Sequence, residues 1–87
     1  MAVVWIPSLM RSLTEDQPRV EVQGGSVREV IEELEIAYPG TRERICDGDV
    51  LRAGIAVSVD GIVVEGGLRQ GVGPHSEIHF VVAVSGG

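Results

Sequence analysis

The sequence contains no lysine: all seven basic residues are arginine, and they stand against 13 acidic residues. The formal net charge at pH 7 is therefore −6. Proteins that bind nucleic acid or anionic membranes need basic surfaces to neutralise phosphate groups, and this charge balance argues against both kinds of partner. An acidic domain of this kind favours neutral or basic proteins as partners.

Cysteine is almost absent as well. The single residue, Cys46, excludes an internal disulfide framework and any zinc or iron–sulfur site built from several cysteines. The two histidines, His75 and His79, have no cysteine or acidic partner at ligand spacing, so we expect no bound metal. Cys46 lies in a polar connector, and we expect it to have no chemical role.

Long hydrophobic runs are also missing. The first apolar run, residues 2–6, is too short for a signal peptide and has no basic residue before it. No stretch approaches the ~20 apolar residues of a membrane span, so we expect a cytoplasmic protein. A chain of 87 residues, 44% of them hydrophobic, is long enough for one domain with a modest core. A domain of this size has no room for a large enclosed active site.

Hydrophobic periodicity predicts five strands and one helix. Ser26 followed by Glu29 is a capping box, and apolar residues recur behind it at helical spacing until Pro39 stops the helix. Asp60-Gly61 is a two-residue hairpin signal. The predicted strands are residues 2–6, 19–23, 55–59, 62–64 and 77–82.

This element order predicts an α+β fold of the β-grasp, ubiquitin-like type. A mixed sheet of four to five strands packs on one central helix, and the long crossover allows the last strand to run parallel to the first. Residues 41–53 form a polar connector with a turn at 47–49 and room for a short helical turn at 42–45. The domain spans residues 1–82. Residues 83–87 carry no turn signal and no anchor, which predicts a flexible tail.

Four segments resemble the signatures of a known family: residues 6–14, 34–40, 57–61 and 78–87. They are similar to the R-x-L-T opening, the helix end, the v-x-V-N-G hairpin and the Gly-Gly tail of the MoaD/ThiS ubiquitin-like sulfur carriers. The Ile6-Pro7 pair resembles the CysO-type branch. The resemblance covers nearly the whole chain.

The sequence departs from the family pattern at two places. Residues 73–77 replace the acidic turn usually found before the last strand, and Val82-Ala83 replaces the proline common before the tail. Asp60 also stands where the family often has asparagine. The departures before and after the last strand affect the assignment to a branch of the family more than the assignment to this class of protein.

The resemblance implies that the reactive group is the carboxylate of Gly87, preceded by Gly86. An E1-like adenylating enzyme of the MoeB/ThiF type would consume ATP to adenylate Gly87, and sulfide or persulfide sulfur would convert the adenylate to a thiocarboxylate. A terminal carboxylate is ionised at neutral pH and able to attack a phosphate, and glycines suit a narrow channel because they lack Cβ atoms. The chain itself would be no enzyme and would bind no cofactor.

The resemblance also implies a docking surface beside the tail. Val81 is expected to face away from Ile78 and Phe80, next to the point where the tail leaves the sheet. This position corresponds to part of an apolar patch that docks the adenylating enzyme and the acceptor; an ordinary surface valine is the plainer interpretation. The residues expected to contact partners are Val81, Val82, Ala83, Val84 and Ser85.

Other conspicuous residues have plainer interpretations. Arg11 belongs to the family opening, and a salt bridge is its expected role. Trp5 is expected on the outer sheet face, packed under a loop rather than stacking on a ligand. The glycine-rich residues 66–73 precede a strand and lack the Lys-Ser/Thr of a phosphate loop. The acidic residues of the helix are expected to form a solvated face: Glu32, Glu33 and Glu35.

Three functions remain open from the sequence. The leading hypothesis is a sulfur carrier, monomeric when free, that serves a sulfur-accepting enzyme of cysteine or other sulfur-metabolite biosynthesis. A molybdopterin-synthase small subunit is nearly as plausible, and a thiamin-type carrier less so. The second hypothesis is a ubiquitin-like protein modifier, in which a target lysine replaces sulfur as the nucleophile. The third is a β-grasp interaction module with incidental glycines.

Overall fold

Five strands form one mixed sheet in the computed structural model, which describes residues 1–82. The strands are β1 (Ala2–Trp5), β2 (Arg19–Val22), β3 (Cys46–Asp47), β4 (Val50–Leu51), β5 (Ile55–Val59), β6 (Ile62–Val63) and β7 (Glu77–Val82). The strand order in the sheet is β2-β1-β7-β5-β6, with β1 parallel to β7 and the other neighbours antiparallel. A separate two-stranded hairpin pairs β3 with β4. The helices are α1 (Val27–Ala37), α2 (Thr41–Ile45) and the 3-10 helices Ser8–Thr14 and Gly67–Arg69.

The predicted β-grasp architecture is confirmed. The long segment between β1 and β7 includes α1, and this crossover lets the last strand lie parallel to the first at the centre of the sheet. The predicted hairpin is also present: Val59 pairs with Ile62 around Asp60 and Gly61, whose φ angles are 52° and 85°. Positive φ at both central positions defines the type of turn that matches strand twist.

Helix α1 begins where the capping box predicted. The Ser26 hydroxyl accepts a hydrogen bond from the Glu29 amide at 3.2 Å, and the Glu29 carboxylate accepts one from the Gly25 amide at 2.7 Å. Gly24 precedes this cap with a φ of 152°, and a Cβ atom there would lie 2.9 Å from the Val30 nitrogen. The apolar stripe of the helix is buried: Val27, Val30, Ile31 and Leu34.

The core lies between this stripe and the inner face of the sheet. Val4, Val57 and Ile78 come from the three central strands and are at most 1% exposed. Phe80 joins the same cluster from β7. The apolar residues that periodicity placed on the inner face therefore supply the packing that fixes the helix on the sheet.

Residues 41–53 differ from the predicted polar connector. The helical turn is present as α2, but it is followed by the β3–β4 hairpin, which was not predicted. Each strand of this hairpin has only two residues, too few to show an alternating pattern in the sequence. Ile45 is fully buried and Cys46 is 3% exposed, so this end of the connector is part of the core. The prediction that Cys46 lies in polar surroundings was wrong.

The segment between β1 and β2 also holds more structure than predicted. Residues Ser8–Thr14 form a 3-10 helix in which Met10 and Thr14 are buried. The Arg11 guanidinium donates a hydrogen bond to the Ile6 carbonyl at 3.3 Å, and no ion pair to it is formed within residues 1–82. The expected salt bridge of Arg11 is therefore replaced by a contact to backbone.

Three strand ends are shorter than predicted. β1 ends at Trp5, β2 ends at Val22 and β6 ends at Val63, although the Ile6 and Val64 amides still donate to carbonyls of neighbouring segments. Among the helices of residues 1–82, the longest has 11 residues, and none is long and apolar enough to cross a membrane.

Candidate functional site: the outer sheet face at the end of the last strand

The predicted reactive end lies just beyond the described part of the chain. Gly86 and Gly87, together with the expected partner contacts Ala83, Val84 and Ser85, fall outside residues 1–82. The described residues nearest to them are those of β7, which ends at Val82.

Strand β7 alternates between the two faces of the sheet as predicted. Ile78 and Phe80 are 0% and 5% exposed, whereas Val81 is 51% exposed and faces away from the core. Val82 is half-buried. The structure thus presents a large apolar side chain to solvent one residue before the end of the strand.

The neighbours of β7 change along its length. On one side β5 accompanies it to the end, because Ala56 pairs with Val81 and Ile55 with Val82. On the other side, within the described chain, the ladder to β1 ends at the pair of Trp5 with His79. Pro7 lies two residues beyond the end of β1 and has no amide hydrogen to continue a ladder. Within residues 1–82, Val81 and Val82 are therefore paired with β5 and with no other strand.

Strand register brings five side chains into one row across the outer face. Arg19 of β2 pairs with Trp5, Trp5 with His79, His79 with Ser58, and Ser58 with Val63. The Trp5 and His79 rings stack with centroids 5.6 Å apart and planes inclined by 7°. The Arg19 guanidinium carbon lies 5.9 Å from the Trp5 ring centroid, within the range of a cation–π contact.

The indole of Trp5 is fixed at its polar end as well. Its Nε1–H donates a hydrogen bond of 2.9 Å to a carboxylate oxygen of Glu77. Glu77 and His79 are both outward-facing residues of β7, so one strand both stacks on the indole and accepts its hydrogen bond. Trp5 lies on the outer face as predicted, but it packs on a neighbouring strand and not under a loop.

Sequence reasoning missed this ring pair because 74 residues separate the two positions. Each strand alternates clearly, yet alternation alone says only that both side chains are outward. Their contact depends on the parallel register of β1 and β7, which no local signal specifies.

Cys46 is inert in this arrangement. Burial raises the pKa of its thiol above the ordinary value, and this effect outweighs the opposing attraction of the thiolate to Arg42, Arg28 and Arg52. A neutral buried thiol is a poor nucleophile. No group of three metal-ligating side chains occurs within residues 1–82.

Glu35 was predicted to belong to a solvated helix face, and it has a more specific position. Its carboxylate accepts hydrogen bonds from the backbone amides of Gly40 and Arg42 at 3.1 and 2.9 Å. It therefore joins the end of α1 to the start of α2, whereas Glu32 and Glu33 are exposed as expected. Glu35 is structural and lies apart from the outer sheet face.

A depression of about 510 Å³ lies on the helix side of the molecule. Its walls come from the first turn of α1, the β3–β4 hairpin and the turn at 66–69, including Arg28, Val50 and Arg69. Of the predicted site residues within 1–82, neither Val81 nor Val82 lines it. Its lining residues therefore offer positions for control substitutions away from the outer sheet face.

The family of the chain follows from comparison with known proteins. The family model described as "ThiS family" matches residues 4–87, which is almost the entire chain and includes its last two glycines. The chain belongs to the ThiS family. This ThiS-family chain is also 32% identical over 89 residues to the sulfur carrier protein CysO of Mycobacterium tuberculosis. That alignment covers 97% of this chain and 96% of the relative.

Solved structures agree with this assignment. The ThiS-family chain superposes with a TM-score of 0.94 on a chain of the Amycolatopsis orientalis BexX/CysO complex, with 30% identity and full coverage of both chains. It superposes with a TM-score of 0.83 on the small archaeal modifier protein 1 of Methanosarcina acetivorans, covering 99% of this chain and 95% of that one. At 24% identity the second likeness supports the fold alone.

Proposed function

We propose that this chain is a sulfur carrier that works in the cytoplasm and delivers sulfur from a thiocarboxylate on Gly87. The observation that carries the proposal is the near-full-length similarity to the CysO sulfur carrier, within a family match that extends to Gly87. The similarity to CysO also favours cysteine biosynthesis over molybdopterin or thiamin synthesis as the destination of the sulfur.

The proposed chemistry has two steps. A carboxylate oxygen of Gly87 attacks the α-phosphorus of ATP, and pyrophosphate leaves to give an acyl-adenylate. Sulfide then attacks the carbonyl carbon, and AMP leaves with the former carboxylate oxygen. The product is a thiocarboxylate in which one oxygen has been exchanged for one sulfur.

The partner supplies the ATP site in this proposal. An E1-like adenylating enzyme of the MoeB/ThiF type binds ATP, and a second enzyme accepts the sulfur. The carrier therefore acts as a co-substrate rather than as an enzyme. Its own contribution is to present Gly86 and Gly87 and to dock the enzymes.

The fold suits this contribution. β7 lies at the centre of the sheet between β1 and β5, and its inward-facing residues Ile78 and Phe80 anchor the strand that precedes residues 83–87 in the core. Five residues, 83–87, follow Val82, and a fully extended chain of this length spans at most about 17 Å. An enzyme that receives Gly87 must approach the end of β7 to within that distance.

Intact mass spectrometry tests the proposal. The chain is incubated with the adenylating enzyme, ATP and sulfide, beside a variant that lacks Gly87 and a Cys46→Ala variant. We expect a mass gain equal to one oxygen-to-sulfur exchange in the full chain and in Cys46→Ala, and none in the deletion. A gain that persists without Gly87, or no gain with any adenylating enzyme encoded beside the chain, contradicts it.

The same samples separate the alternative functions. A protein modifier would form isopeptide adducts with lysines of other proteins in a cell extract. An interaction module would keep its partner affinity after removal of both terminal glycines. Either result without thiocarboxylate formation would replace the proposal.

A further inference from the structure

The depression on the helix side of the molecule combines positively charged and apolar walls. Ligand pockets have volumes of about 300–1,000 Å³, and this depression, at about 510 Å³, has room for one large side chain of a partner. Of the eight described residues that line it, Arg28 and Arg69 are basic and Asp49 alone is acidic. Its apolar wall consists of Val50, Leu51 and Leu68.

Positive charge is concentrated on this side of an acidic protein. Residues 41–52 contain three arginines and three acidic residues, whose charges cancel, and Arg28 and Arg69 add two positive charges to the depression beside them. The chain as a whole has a net charge of −6. Burial is the main influence that raises the pKa of the nearby Cys46 thiol, but three of the four charged groups that act on it are arginines, which lower that pKa. An anionic partner is therefore attracted to this side of the molecule and repelled by the rest of the surface.

The two arginines of the depression are available to a partner. Arg69 is exposed, and within residues 1–82 its guanidinium makes no hydrogen bond or ion pair. Arg28 pairs with Asp49 at 3.4 Å, but the Asp49 side chain is 83% exposed, and pairs of this exposure contribute little stability. An incoming carboxylate can therefore replace Asp49. Arg28 also lies in the first turn of α1, where a positive charge opposes the helix dipole, so the helix itself gains nothing from it.

The apolar wall distinguishes a segment of a protein from a free anion as the occupant. Val50 is 62% exposed and Leu51 beside it is half-buried, whereas Leu68 is 7% exposed at the base of the depression. A small anion such as phosphate would pair with the arginines and leave this apolar surface in water. A peptide segment covers both parts, because an apolar side chain fills the depression while carboxylates on either side of it reach the guanidinium groups.

We propose that this depression binds an acidic segment of a partner protein. An apolar side chain of the segment contacts Val50 and Leu68, and its carboxylates pair with Arg28 and Arg69. The proposal goes beyond the sulfur-carrier function and does not depend on it. A partner bound here leaves Val81 and the outer sheet face uncovered, so its binding is compatible with the enzyme contacts proposed above.

Fluorescence anisotropy with a model peptide tests the proposal. The probe is a fluorescein-labelled peptide of sequence GEEDLEEG, and we expect it to bind the full chain saturably with a dissociation constant below about 1 mM. A matched peptide, GQQNLQQG, replaces every carboxylate by an amide and should bind about tenfold more weakly or worse. A second matched peptide, GEEDAEEG, lacks the leucine side chain and should bind about fivefold more weakly.

Variants of the chain locate the binding site. Arg28→Ala and Arg69→Ala are each expected to weaken binding of GEEDLEEG about fivefold, the upper end of the contribution of a partly exposed ion pair. Arg19→Ala is the matched control, because it removes the same charge from the outer sheet face, and it should change the affinity less than about twofold. Asp49→Asn removes the carboxylate that competes for Arg28 and should tighten binding about twofold. Thermal unfolding of each variant checks that the fold is retained.

Four outcomes would overturn the proposal: no saturable binding of GEEDLEEG, equal affinity for either matched peptide, equal weakening by Arg19→Ala and Arg69→Ala, or displacement of the probe by inorganic phosphate at constant ionic strength. The last outcome would assign the depression to a free anion. The assay uses neither ATP nor the adenylating enzyme. A chain that forms the thiocarboxylate but does not bind the probe keeps the carrier function and loses this site, and the reverse result rejects the carrier function alone.

Discussion

The side chains on the two faces of β7 have different roles. Ile78 is fully buried and holds the sheet to the helix, whereas Val81 is 51% exposed and contributes little to the core. Removing a fully buried isoleucine side chain typically costs about 2–5 kcal/mol of stability. Substituting an exposed valine changes stability by about 0.5 kcal/mol or less. Exposure therefore allows the proposed docking contact at Val81 to be altered without unfolding the domain.

Val81→Asp is expected to weaken binding of the adenylating enzyme at least tenfold, because it places a charge in an apolar contact. Its melting temperature should stay close to that of the unmodified chain. Val50→Asp is the matched control, since Val50 is 62% exposed on the helix side. Unchanged adenylation kinetics with Val81→Asp would show that Val81 lies outside the interface.

The buried thiol of Cys46 leads to a prediction about how the free energy of unfolding changes at alkaline pH. Its thiol has a raised pKa in the folded protein because burial disfavours the thiolate. The unfolded chain therefore loses this proton first, and the free energy of unfolding should fall as pH rises above about 9, where an exposed thiol ionises. Below that pH the contribution is fully present.

Urea unfolding between pH 7 and 10 measures this effect. The decline above pH 9 should be smaller in Cys46→Ala than in the unmodified chain, because the variant lacks the titrating thiol. Parallel pH profiles of the two proteins would contradict the assignment. We also expect the Cys46 thiol to be alkylated slowly in the folded protein and rapidly in urea.

At the level of elements, the periodic segments could be predicted and the short ones could not. Helix α1 has a capping box, an apolar stripe and a stop at Pro39, all within one local stretch. The β3–β4 hairpin has two residues per strand, too few to show alternation. The 3-10 helix of residues 8–14 depends on burial of Met10 and Thr14 against the rest of the fold, which local sequence does not encode.

One departure from the family pattern has a structural explanation. Asp60, in the position often held by asparagine, accepts hydrogen bonds from the Glu77 amide at 2.9 Å and the Ser76 hydroxyl at 3.0 Å. It thereby joins the β5–β6 hairpin to the start of β7. Residues 73–77, where the sequence also departs from the family pattern, supply both donors, so these two differences belong to one contact.

The cap of α1 gives a prediction at this scale. Ser26→Ala removes the acceptor for the Glu29 amide and should lower the free energy of unfolding by about 1 kcal/mol. For a domain of this size that corresponds to a fall of about 4–8 °C in melting temperature. Ser26→Asp retains an acceptor and should recover most of the loss. Equal stability of all three proteins in urea unfolding would contradict the capping role.

Across the whole molecule, the topology connects the core to the proposed chemistry. The parallel pairing of β1 with β7 makes the last strand central, and it also stacks Trp5 on His79 beside the exposed Val81. The sequence pattern predicted the fold, the outward direction of Val81 and the family. It could not predict the ring pair, the contacts of Arg11 or the burial of Cys46, because each depends on segments that meet only in the folded chain.

Mapping the exchanged atom to a peptide tests the central claim most directly. After reaction with the adenylating enzyme, ATP and sulfide, cleavage after arginine separates residues 70–87, which contain no cysteine, from residues 45–52, which contain Cys46. The account predicts one oxygen-to-sulfur exchange in peptide 70–87, located at Gly87, and an unchanged peptide 45–52. Sulfur added to the Cys46 peptide, or an unmodified peptide 70–87, would contradict the assignment of this chain as a thiocarboxylate carrier.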